Sequence, residues 1–205
     1  MASEMVNTRF LKVVTLKNGL RVVVRPFSAD DRGKILDYFL LLPAEDRAWM
    51  REDVTDPSVI DKWIANLDQA RSMAIVAEAD DRIVGDATLY MWPHGWHRHI
   101  GEIRLSVDSA QRKNGLGMML LSELFSLALQ FDLDKLAAQV MREQEQAIAM
   151  LERLGFHKEA ELKGHIMDLQ GRKHDMIILT NFVSVLWEHL HDSEYDQVRL
   201  NQMED

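Results

Sequence analysis

The chain of 205 residues contains no cysteine, which excludes a disulfide framework and any thiolate nucleophile or thiolate metal ligand. Its four prolines and ten glycines are scattered at element boundaries, so there is no linker and no low-complexity segment, and one continuous domain is expected. No uninterrupted apolar run approaches the ~20 residues of a membrane-crossing helix, so no membrane partner is expected. An excess of positive charge is missing too. Lys and Arg total 24 against 33 Asp and Glu, a formal charge of -9. Nucleic-acid binding needs concentrated cations and is therefore not expected, whereas an acidic surface suits a cationic amine. The opening Met1-Ala2-Ser3-Glu4-Met5 lacks the basic and apolar stretches of a secretory leader, which makes the cytoplasm the expected location.

The residues that are present alternate between strand-like and helix-like patterns. Val13 to Leu16 and Leu20 to Val24 flank Asn18-Gly19, a dipeptide suited to a tight hairpin turn, and Pro26 closes the second strand. Ser28 to Asp31 offers caps for a helix through about Leu41, with Ile35, Leu36, Phe39 and Leu40 at helical spacing. Asp56-Pro57 starts another helix through about Leu67. Strands are expected at Met73 to Glu78, Ile83 to Met91 and His99 to Val107, with Asp80-Asp81 turning between the first two. In the third strand Glu102, Arg104 and Ser106 share one face. Leu116, Leu120, Leu124 and Leu127 mark a well-buried helix, followed by a strand from Lys135 to Val140. A shorter helix ends at Gly155, and strands from Phe156 to Leu162 and Lys173 to Thr180 are joined through Gly164 and Gly171. From Asn181 onward six acidic residues face Arg199 alone, the pattern of a solvated extension.

Between the strand ending at Val107 and the helix beginning near Leu116 lies Arg112-Lys113-Asn114-Gly115-Leu116-Gly117. A strand, a glycine loop and a helix start bring backbone N–H groups and the positive helix end to one point, where a phosphate or pyrophosphate can bind. Neither the nucleoside-triphosphatase loop nor the G-x-G-x-x-G dinucleotide fingerprint is present. By itself such a loop also serves simply to start a helix.

The loop resembles the Q/R-x-x-G-x-G/A motif of the GNAT superfamily of N-acyltransferases, filled here by Arg112, Gly115 and Gly117. Ala147 to Phe156 is similar to that family's second motif, A-I-x-x-x-E-x-x-G-F, about thirty residues later. The resemblance covers Leu20 to Thr180 and implies a GNAT fold: an α/β chain with a mixed, mostly antiparallel central sheet flanked by helices. It divides the chain into an N-terminal extension and hairpin strand (1–19), the acetyltransferase domain (20–180) and an acidic C-terminal extension (181–205). The stretch Leu16 to Phe27, with Gly101-Glu102-Ile103, resembles the bacterial protein-lysine acetyltransferase (Pat-like) domains within the family.

The resemblance implies acetyl-CoA as co-substrate and direct transfer of its acetyl group to a primary amine in a ternary complex. The acceptor it implies is a protein lysine. A small-molecule amine, and a non-catalytic acyl-CoA-binding sensor or regulatory module, are the alternatives, and a homodimer is admitted. It assigns the cofactor to Val107, through its backbone N–H, to Arg112, Lys113, Asn114, Gly115, Leu116 and Gly117, and to Gln144 at the start of the second-motif helix. It assigns the general base to Glu102. Two departures stand out: Leu151 occupies the position of the usual tyrosine acid, and Gln139 stands where some ribosomal-protein N-terminal acetyltransferases carry a glutamate. His94, His97 and His99 lack the helical pairing of a metal site, and no metal is expected. That run is expected to form a hairpin loop flanking the acceptor cleft, with Trp92 and Trp96 packed over it.

Overall fold

The computed structural model describes residues 11–67, 71–168 and 170–185. The described residues form eight strands: β1 (Lys12–Thr15), β2 (Arg21–Pro26), β3 (Ser72–Ala79), β4 (Arg82–Met91), β5 (Ile100–Val107), β6 (Lys135–Met141), β7 (His157–Met167) and β8 (Lys173–Phe182). Its helices are α1 (Arg32–Leu41), the one-turn α2 (Ala44–Arg47), α3 (Pro57–Ala65), α4 (Leu116–Gln130) and α5 (Glu145–Arg153). This is the α/β architecture expected, and the strand pairings with a described register are antiparallel. The chain divides into two compact units. One comprises the residues up to Pro93 with Ile103–Leu124; the other comprises His94–Glu102 and the residues from Phe125 onward.

In the first unit the strands run in the order β1-β2-β3-β4-β5. Two turns show how local sequence sets the pairing. Asp80 and Asp81 both adopt left-handed φ (48° and 62°), closing β3 and β4 as a two-residue turn with the twist of the flanking strands. The β1–β2 connection is wider than Asn18-Gly19 predicts. Leu16 N donates to Leu20 O and Gly19 N to Leu16 O, both at 2.9 Å, so three residues form the tip and only Gly19 takes positive φ (84°). Asn18 instead accepts from Leu20 N through its own side chain at 3.2 Å, the usual local role of an Asn in a turn.

Phe27, Ile35, Tyr38, Phe39, Leu42, Val54, Ile60, Val76 and Ile83 form one apolar cluster of this unit. The buried face of α1 therefore runs through positions 35, 38 and 39 and continues to Leu42 at its C-cap. Leu40, expected on it, lies on the other side and is half exposed. The helix entry is pinned by Arg25, whose guanidinium grips Asp31 in a bidentate pair at 2.6 and 2.7 Å and reaches Glu78 at 2.8 Å. Asp56 caps α3 as predicted, accepting from Ser58 N at 2.8 Å, with Pro57 in the first turn. Along α4 the side chains of Leu116, Leu120, Leu124 and Leu127 are fully buried, which confirms the stripe read from the sequence.

The second unit orders its strands β6-β8-β7. α5 buries Leu151, and Leu154, which caps its end, is buried too, before Gly155 takes φ +81°. β7 runs past the expected end at Leu162 to Met167. Gly164 does not join two strands but lies inside β7 at a register shift, with φ +58°, while the turn is made further on, around Gly171. β8 also continues beyond Thr180: Asn181 is buried and donates to Leu154 O at 3.0 Å. The residues from 186 onward, most of the predicted acidic extension, lie outside the described residues. Among the described residues no helix is long and apolar enough to cross a membrane.

Candidate active site

The loop after β5 is shaped by its own backbone. Asp108 caps a short turn at Ser109–Gln111, accepting from Ala110 N at 2.9 Å. Lys113 and Gly115 then take left-handed φ, 64° and 94°, and the chain enters α4 at Leu116. An ideal Cβ on Gly115 would meet no described atom within 4 Å, so the glycine is required by its φ and leaves the main chain open above it. The first-turn N–H groups of α4 have no partner within their own helix and carry its positive end. Leu116 itself is buried in the apolar stripe, so it contributes only its amide to the loop surface. Gly117 sits half-buried in the same turn, while Lys113 is exposed.

Four contacts hold the loop, none of them foreseeable from spacing. Asn114 O accepts from Lys17 N at 3.1 Å, and Asn18 Nδ2 donates to Gln111 Oε1 at 3.0 Å, so the tip of the β1–β2 hairpin grips the loop. The Arg112 side chain turns back, its Nη2 lying 2.6 Å from Asp46 Oδ2 in α2 and its Nε 3.3 Å from Val107 O. The first motif position is thus tied to a carboxylate and to the end of β5.

Beneath the end of β5 runs a buried polar network. Tyr38 OH lies 2.8 Å from Ser106 Oγ, Ser106 donates in turn to Asp86, and Arg104 Nη2 donates to Asp86 at 2.7 Å. The Arg104 guanidinium also stands over the Trp63 ring at 4.9 Å, and its Nε is buried without a hydrogen-bond partner. Burial, reinforced by the Asp86 charge, pushes the Tyr38 phenol well above its ordinary value, so it stays protonated. For Arg104 burial is the largest influence and works the other way, but Asp86 together with Tyr90, Tyr38 and Glu52 outweighs it and the guanidinium remains charged.

In the second unit Glu102 is 9% exposed, and Gln139 Nε2 approaches its Oε2 at 3.4 Å. Gln144 precedes α5 and accepts from Met141 N through its Oε1 at 2.9 Å, which assigns its carboxamide oxygen inward and turns its NH2 end elsewhere. Leu151 is 3% exposed and belongs to the core, so the position of the usual tyrosine acid is filled by packing. The run 92–99 is an exposed loop. Trp96 is 84% exposed, with its ring only 5.2 Å from that of His97, so it does not pack over a cleft as expected. Among the described residues no group of three or more His, Asp or Glu is arranged to hold a metal ion.

The model of the acetyltransferase (GNAT) family matches residues 37–156, more than half of the chain and both of its motifs. The chain belongs to the GNAT family. As a GNAT enzyme it is an acetyl-CoA-dependent N-acetyltransferase acting on an amine acceptor. No curated protein matches its sequence significantly. Solved structures similar to it include the GNAT domain of PAT from S. lividans (15% identity, TM-score 0.71, covering 85% of this chain and 98% of that one). A ribosomal-protein-alanine N-acetyltransferase from Brucella melitensis is similar at 23% identity and TM-score 0.67, covering 78% and 98%. So is yncA of Salmonella typhimurium, solved with its cofactor acetyl-CoA, at 20% identity and TM-score 0.67, covering 79% and 94%. At these identities the likenesses establish the GNAT fold. The main chain is open at Gly115 at the start of α4, with Arg112 and Lys113 just before it, and a helix start of this kind can hold an anion.

Proposed function

We propose that this GNAT enzyme acetylates the ε-amino group of protein lysines. The observation that carries the reading is Glu102: a carboxylate buried on β5, with the neutral amide of Gln139 as a neighbour. Glu102, directly or through a water, takes the proton of the attacking ammonium. The freed nitrogen adds to the thioester carbonyl carbon, the Val107 N–H receives the developing oxyanion, and the C–S bond then breaks to release the CoA thiolate. Because Leu151 is buried and carries no proton, the thiolate is protonated from solvent or from the proton first taken up by Glu102. Arg112, Lys113, Asn114, Gly115, Leu116 and Gly117 bind the pyrophosphate, and the NH2 group of Gln144 donates to the cofactor. The likeness to the PAT domain, together with the Leu16 to Phe27 and Gly101-Glu102-Ile103 stretches, favours a protein lysine over a small amine.

The test is acetyl-group incorporation from labelled acetyl-CoA into lysine peptides, compared with spermidine and free amino acids. Preference for the peptides supports the assignment, and turnover confined to the small amines defeats it. Glu102→Gln should lower kcat by about 10²- to 10⁴-fold without changing CoA affinity, because it removes only proton transfer.

A further inference from the structure

We propose that Gly85 and Asp86, adjacent on β4, are positioning residues for acetyl transfer: together they set the direction of the Val107 N–H. The inference rests on the reading that this amide receives the thioester carbonyl.

The N–H of Val107 and the C=O of Ser106 belong to one peptide unit. The described residues contain no cis peptide bond, so in this planar trans unit the two groups point in opposite directions. Whatever fixes the Ser106 carbonyl therefore aims the Val107 amide. The carbonyl lies against Gly85, where a Cβ would come within 3.2 Å of the oxygen. The Val107 N–H is thereby turned away from β4.

Gly85 has no positive φ to require a glycine. The requirement is space, because the same Cβ would meet Leu120 Cδ1 at 3.1 Å and Leu116 Cδ2 at 3.4 Å. The two leucine tips can give way by a few tenths of an ångström, so an alanine presses chiefly on the Ser106 carbonyl and with it the Ser106–Val107 peptide.

Asp86 fixes the same peptide from its side chain. Its carboxylate, in a residue only 5% exposed, accepts from the Ser106 hydroxyl and from Arg104 Nη2, while Tyr38 OH holds the hydroxyl from α1 at 2.8 Å. On either side of the amide, Asp108 N donates to Val84 O at 3.0 Å, and Val107 O accepts from Arg112 Nε at 3.3 Å. Val84, Gly85 and Asp86 thus engage three consecutive features of the chain: the Asp108 amide, the Ser106 carbonyl and the Ser106 hydroxyl. Apolar packing in place of the whole Asp86–Arg104 pair would keep comparable stability, since a buried ion pair contributes little net stability over well-packed hydrophobic residues, whereas losing Asp86 alone strands the guanidinium. What apolar packing could not do is hold Ser106 in one rotamer. An oxyanion donor works only when it is aimed beforehand.

The experiment binds acetyl-CoA carrying carbon-13 at its carbonyl and reads the carbonyl resonance, which moves downfield when an N–H polarises it. Asp86→Asn, Gly85→Ala and Ser106→Thr are compared with the unchanged enzyme, alongside calorimetric CoA affinity and thermal unfolding. Asp86→Asn and Gly85→Ala should lose most of the downfield displacement with CoA affinity kept within about threefold, while Ser106→Thr, which retains the hydroxyl, keeps the displacement. A purely structural role would lower the unfolding temperature but leave the resonance in place, and that result overturns the inference. It is equally overturned if CoA affinity falls in step with the displacement, because the two residues would then merely support the cofactor loop. If Asp86→Asn fails to fold, Gly85→Ala decides alone. Absence of any displacement in the unchanged enzyme defeats the Val107 reading itself.

Discussion

Arg112 Nη2 and Asp46 Oδ2 lie 2.6 Å apart, joining the first residue of the proposed pyrophosphate loop to a carboxylate on α2. Both side chains are partly exposed, so the pair is worth only ~0–1 kcal/mol. It matters because an anionic ligand must compete with Asp46 for the same guanidinium. Asp46→Asn is predicted to tighten CoA binding by up to about fivefold, and Arg112→Ala to weaken it. Calorimetry checks both. The gain from Asp46→Asn should shrink as salt is raised, because both effects are electrostatic.

The Asn18 side chain holds the proposed cofactor loop at Gln111 and its own turn at Leu20. Removing a hydrogen bond of this kind costs ~0.5–1.5 kcal/mol, so Asn18→Ala should weaken CoA binding by about two- to tenfold while changing the unfolding temperature little. Equal CoA titrations of the two proteins would show that the hairpin tip plays no part in the loop.

Glu123 is buried on α4 and is neutralised by Lys12 of β1, whose Nζ lies 2.6 and 2.7 Å from the two carboxylate oxygens. Lys12→Ala would strand the carboxylate. A fully buried pair broken from one side costs ~3–5 kcal/mol, and the partial exposure of Lys12 reduces this to about 2 kcal/mol. The unfolding temperature should fall by roughly 4–8 °C for a chain of this size. The double change Lys12→Leu with Glu123→Leu should recover most of the loss, which a calorimetric scan of both variants measures.

His174 is clamped between Glu143 (3.0 Å) and Asp168 (3.1 Å) at the β7–β8 turn, with Arg172 also on Asp168. The two carboxylates raise the histidine above its ordinary value, Glu143 more than Asp168. Asp168 is pushed up by burial, but the hydrogen bonds from His174 and Arg172 carry it well below the usual carboxylate range, and His174 lowers Glu143. A raised histidine stabilises the fold below its unfolded value and ceases to do so as pH rises through its folded one. The lowered carboxylates act oppositely, losing their contribution as pH falls. The clamp is therefore strongest between the carboxylate and histidine ranges. His174→Gln should be less stable than the unchanged protein at about pH 5.5, with the difference shrinking toward about pH 8. A gap in unfolding temperature that is flat across this range would rule the clamp out.

The legible parts of the fold were those governed by neighbours in sequence. The buried stripe of α4, the Asp56-Pro57 helix start, the Asp80-Asp81 turn and the stop at Gly155 all follow from period, cap or φ preference. The structure departs from the local pattern where several arrangements satisfy one local preference. Asn18-Gly19 fits a two-residue turn, yet the closing pair Leu16/Leu20 chose a wider one. Gly164 fits a turn but serves a shift inside β7. Leu40 is apolar, but burial is decided by what packs on α1, and the face used is that of Tyr38 and Leu42.

The same division runs through the site. The two motifs, Arg112 to Gly117 and Ala147 to Phe156, were determined by the sequence itself, because a glycine loop before a helix is a local design whose chemistry follows from backbone geometry. Tertiary structure alone decided the partners: Asp46 on Arg112, Asn18 on Gln111, and Asp86, Gly85 and Tyr38 around Ser106. These pairs are separated by tens of residues along the chain, and nothing in composition or spacing encodes which strand will pass beneath which. Only when the chain packs β4 beside β5 and α1 over both does a carboxylate at 86 acquire a hydroxyl at 106 to hold.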